Sequence, residues 1–87
     1  MLSPISMDRR LAVVYAALEA AGWDVERARE VLRSLLEAKG WPGLHAWILL
    51  AFREEYYKTV DAVKAGARPS PENLQVAREW IKRLRKK

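Results

Sequence analysis

The chain has no cysteine among its 87 residues. That removes a disulfide framework, a thiolate nucleophile and every cysteine-based zinc or iron–sulfur site. Histidine is nearly absent as well: His45 stands alone. A metal site would need further ligands converging on it from other helices, and His45 has only Trp41, Pro42, Ile48 and Leu49 as helical neighbours. No apolar run reaches the 18 residues that a membrane span requires. The first ten residues lack a charged region followed by an apolar one, so no signal peptide is expected. Alternation of apolar and polar residues, the mark of a half-buried strand, is missing throughout. There is no internal repeat and no glycine-rich phosphate loop.

The few glycines and prolines present are used as punctuation. Ser3-Pro4 reads as a helix cap followed by proline at the first helical position. Asp24 is a second cap, Trp41-Pro42 opens a third helix, and Ser70-Pro71-Glu72 opens a fourth with an acidic first turn. Gly22, Gly40 and Gly66 supply the left-handed residue that ends a helix. Gly22 and Gly40 are each followed by Trp, placed to fold back on the last turn. Gly43 has no such use in a first helical turn, and close backbone approach by a partner or another helix would explain it.

This predicts helices at about 3–21, 24–39, 42–65 and 70–85. The fold class is all-α, a single-domain antiparallel four-helix bundle, because the connections are short. At roughly 100° per residue, helix two turns Val25, Ala28, Val31, Leu32, Leu35 and Leu36 inward. Helix four turns Leu74, Ala77, Trp80, Ile81 and Leu84 inward.

Helices one and three carry more apolar surface than one face needs. Helix three has a core stripe of His45, Ile48, Leu49, Phe52, Tyr56, Thr59, Val60 and Val63. Leu44, Trp47, Leu50 and Ala51 lie opposite it. Helix one has a core face of Met7, Leu11, Val14, Tyr15 and Leu18, and a second face with Ile5, Ala12, Val13, Ala16 and Ala20. The two helices could be a central pair packed on both sides. Alternatively, the second face of helix three is exposed and rimmed by charge, the usual mark of an interaction site. The second reading is adopted. It centres a protein contact on Leu44, Trp47, Leu50 and Ala51, with Gly43, Glu54 and Tyr57 at its margin and Leu2, Ile5, Arg9 and Val13 added by helix one.

No catalytic constellation can be assembled. Glu54 and Glu55 are adjacent and point apart on a helix, so they form no carboxylate pair. An enzyme is not expected, nor a cofactor. A small-molecule or haem pocket at His45 is a minor alternative. The net charge of +5 comes from 16 Lys and Arg against 11 Asp and Glu. Much of it sits at the C-terminus, in Lys82, Arg83, Arg85, Lys86 and Lys87. The exposed face of helix four also carries Glu72 and Glu79, so sequence-specific nucleic-acid reading is not expected; weak, salt-sensitive binding is compatible with the charge.

Together, Ser-Pro-Glu at 70–72, Ser-Pro at 3–4, the Asp24 cap, glycine at the helix stops, Glu/Arg/Lys outer faces and the lack of cysteine make the chain resemble a computationally designed helical bundle. The resemblance is one of style and spans the whole chain. It implies a monomeric designed binder with no natural reaction, presenting a rigid helix face to a protein target. The competing reading is a structural bundle, or one that self-associates through the same face.

Overall fold

The computed structural model describes the backbone of residues 5–35, 41, 43–48 and 52–85, and the side chains of all these except 46, 52 and 85. Five helical elements follow one another: α1 (Met7–Ala20), α2 (Val25–Ser34), α3 (Leu44–Ala46), α4 (Phe52–Lys64) and α5 (Pro71–Arg85). α3 and α4 both fall in the span expected for the third helix, and together the elements form an all-α four-helix bundle. There is no strand among the described residues.

α1 starts later than Ser3-Pro4 would place it. Ile5 and Ser6 precede the helix, and Ser6 is the cap: its backbone is extended and its hydroxyl accepts from Arg9 N at 3.2 Å. Leu2, Ser3 and Pro4 lie outside the described residues, as do Leu36 to Gly40, including the expected stop at Gly40. α2 begins as expected, with Asp24 Oδ1 accepting from Glu26 N at 3.0 Å and Arg27 N at 3.1 Å.

α1 is the central helix, packed most extensively on α5, then on α2, then on α4. This explains its two apolar faces. Leu11, Ala12, Val13, Val14, Ala16, Ala17 and Leu18 are all buried, and Ile5 is buried just ahead of them. A helix apolar all round belongs inside. The expectation that Ile5 and Val13 form part of an exposed face is therefore corrected: three helices cover α1. Met7, expected in the core, is 58% exposed.

Two polar ties fix the surrounding helices. The buried Tyr56 of α4 donates its hydroxyl to Val25 O, at the start of α2, at 2.6 Å. Burial, and then the charge of Glu26, push the Tyr56 phenol well above its ordinary range. Tyr56→Phe should lower stability by about 1 kcal/mol, a drop of roughly 4–8 °C in the thermal midpoint. An unchanged midpoint would show that this hydrogen bond contributes nothing net. The second tie joins α1 to α5. Asp8, in the first turn of α1, accepts from Ser70 N at 2.8 Å, from Ser70 Oγ at 2.7 Å and from the Asn73 side-chain amide. The starts of α1 and α5 thus meet, where an up-and-down bundle would set a start against an end.

Candidate functional site

The residues expected to form a protein-binding face are not brought together on the surface. Leu44 is fully buried, and Trp47 is only 5% exposed. The backbone widens into a π turn at Trp47 and Ile48. α3 and α4 are separate elements among the described residues, so a face projected back from α4 onto Leu44 and Trp47 has no continuous described helix to follow. Leu50 and Ala51 lie outside the described residues. Glu54 is exposed on α4, and the exposed Tyr57 donates to Glu26 Oε2 at 3.0 Å and accepts from Arg29 at 3.4 Å. Gly43 precedes α3 with φ +85°, a left-handed conformation that glycine adopts freely.

Trp47 instead belongs to a partly buried polar group. Its indole N–H donates to Glu55 Oε2 at 2.6 Å. Arg10 reaches the same oxygen at 3.3 Å and lies over the Trp47 ring, 5.6 Å from its centroid. His45, placed on the core side by the sequence, is exposed; its Nε2 donates to Leu35 O at 3.2 Å. Among the described residues no three His, Cys, Asp or Glu gather in a way that could hold a metal ion.

The corner between α1 and α2 is where the structure departs from ordinary local rules. α1 stops in a complete Schellman motif: Trp23 N donates to Leu18 O at 2.7 Å and Gly22 N to Glu19 O at 3.2 Å. The Asp24 cap of α2 follows at once. One residue, Trp23, thus stands between a glycine stop and a helix cap, and the chain reverses by placing both Gly22 and Trp23 at φ +66°. Glycine accepts that conformation freely; for a bulky residue it is an outlier. Among the described residues Trp23 is the one non-glycine residue with positive φ, and it is 50% exposed.

The Trp23 indole sets its edge on Tyr15, with ring centroids 5.4 Å apart and planes at 90°. Arg68 covers Tyr15 from 5.0 Å and donates to Val63 O and Ala67 O. Glu19 and Arg78 form a two-pronged ion pair at 2.8 and 2.9 Å, which raises the Arg78 pKa. On the same corner an open groove of about 370 Å³ has Ala20, Ala21 and Val31 as its apolar floor and Arg27, Glu30 and Ser34 as its rim. That volume is at the low end for ligand pockets, but the groove is open rather than enclosing, which suits a chain segment better than a small molecule. The sequence places the stop at Gly22 and the cap at Asp24 but does not mark Trp23 as a contact residue. The available signal was the spacing Gly22-Trp23-Asp24, which leaves a single residue to make the reversal.

No helix among the described residues is long and apolar enough to cross a membrane. Comparison with protein-family models, with curated proteins and with solved structures finds no match to this chain.

Proposed function

We propose that the chain is a protein-binding module whose contact centres on Trp23 at the α1–α2 corner, with no reaction of its own. The observation that carries this is an exposed tryptophan held in a left-handed backbone conformation. Such strain costs about 1–3 kcal/mol. The edge contact with Tyr15 returns about 0.5–1.5 kcal/mol, so packing in the free protein does not clearly offset it. Half of a large apolar ring is also left in water. Backbone strain concentrates at functional positions, and tryptophan is among the residues enriched at binding hot spots. A partner segment docked against the exposed indole would remove it from water. The resemblance to designed binders fits the same reading, with affinity as the whole function, although an idealised backbone avoids a residue such as Trp23.

Trp23→Gly tests this. Relief of the strain should leave the thermal midpoint equal to or above that of the parent. Peptides selected from a random display library on the parent protein should bind the variant at least tenfold more weakly, about 1.4 kcal/mol. Equal binding of those peptides to both proteins would remove Trp23 from the contact.

A further inference from the structure

The C-terminal cations read from the sequence as a property of the tail, but the fold adds to them. Trp80 of α5 is partly buried against the core and packs edge-on against Trp41, with ring centroids 4.6 Å apart. Arg9, from the first turn of α1, lies over the Trp41 ring at 5.3 Å. Lys82 and Arg83 are exposed, and Arg83 is one helical turn beyond Trp80, on the same side of α5. Among the described residues none of Arg9, Lys82 and Arg83 has an ion-pair partner. Beyond them the sequence continues with Arg85, Lys86 and Lys87. Unpaired cations from both ends of the chain thus flank two partly buried tryptophans.

We infer that this pole binds single-stranded nucleic acid without sequence preference, through phosphate contacts to Arg9, Lys82 and Arg83 and stacking of a base on the outer part of Trp80. Charge complementarity requires a polyanion, and cations interleaved with aromatic rings are what a single strand uses. An anionic bilayer fits less well: the apolar face of α5, with Ala77 and Ile81, is buried in the core, and Glu79 stands on the outer side. Insertion would have to bury that carboxylate.

The probe is a fluorescein-labelled single-stranded oligonucleotide of about 20 nucleotides, followed by anisotropy on the full chain. Binding is expected with a Kd of roughly 1–100 μM at about 50 mM salt, weakening at least tenfold by about 200 mM. Lys82→Glu with Arg83→Glu should weaken it at least tenfold, and Arg9→Gln severalfold. The same charge reversal at Arg53 and Lys58, exposed on α4, should change it less than threefold. Trp23→Gly should not change it, which separates this site from the protein contact. Equal loss from the Arg53 and Lys58 reversal would reduce the effect to net charge and overturn the site. Absence of binding at low salt, displacement by inorganic polyphosphate at equal charge, or binding to anionic vesicles in place of the oligonucleotide would each overturn it too.

Discussion

Trp47→Glu is expected to abolish cooperative folding at room temperature, or to lower the thermal midpoint by more than about 20 °C. Removing a buried tryptophan from a packed core costs about 3–5 kcal/mol. The new carboxylate would also be forced beside Glu55, whose Oε2 now accepts the Trp47 N–H at 2.6 Å, and two carboxylates held side by side repel. Small domains have about 5–15 kcal/mol in all, so the sum approaches the whole. Trp47→Phe separates the contributions: it keeps most of the ring volume and loses only the N–H, and should cost about 1–3 kcal/mol. Circular dichroism melts of the three proteins decide the matter. A Trp47→Glu midpoint within a few degrees of the parent would return Trp47 to the surface and restore the binding face expected from the sequence.

What the sequence made legible was whatever depends on neighbours a few residues apart. The Asp24 cap, the stops at Gly22 and Gly66, and the inward set Ala28, Leu32, Leu35, Ala77 and Ile81 all follow from local rules, and all are in place. The misplaced face has a definite cause. Projection at a constant angle assumes an unbroken α-helix, and the described backbone departs from one at Trp47 and Ile48. For α1 the pattern was read correctly as apolar on two sides; what it could not supply was the number of helices around it. The ties that orient the bundle, such as Asp8 to Ser70 across 62 residues, are invisible to any local rule. Trp23 is an intermediate case. Its two neighbours announce a helix stop and a helix start, so the reversal was legible, but its exposure depends on how α1 and α2 meet.

Asp8→Ala is expected to lower the thermal midpoint by about 4–16 °C at neutral pH, from a loss of roughly 1–2 kcal/mol. Three donors at the start of α5 converge on this one carboxylate, and the charged acceptor also suits the positive end of the helix dipole. The site is half-buried and water can replace part of what is lost, which keeps the figure below the sum of three charged hydrogen bonds. The Asn73 amide, then the Ser70 hydroxyl, then the Ser70 backbone N–H hold the Asp8 carboxyl below its ordinary value of 3.8. A carboxyl depressed in the folded state contributes stability in full above its unfolded pKa, and loses it as pH falls through the folded one. The gap between parent and Asp8→Ala should therefore be constant from neutral pH down to about pH 5 and close progressively below pH 4. Denaturant titrations of both proteins at about pH 7, 4 and 2.5 measure it. A gap that persists undiminished at the lowest pH would mean that Asp8 acts through its shape rather than its charge, and the pinning of α5 onto α1 would then rest on apolar packing alone.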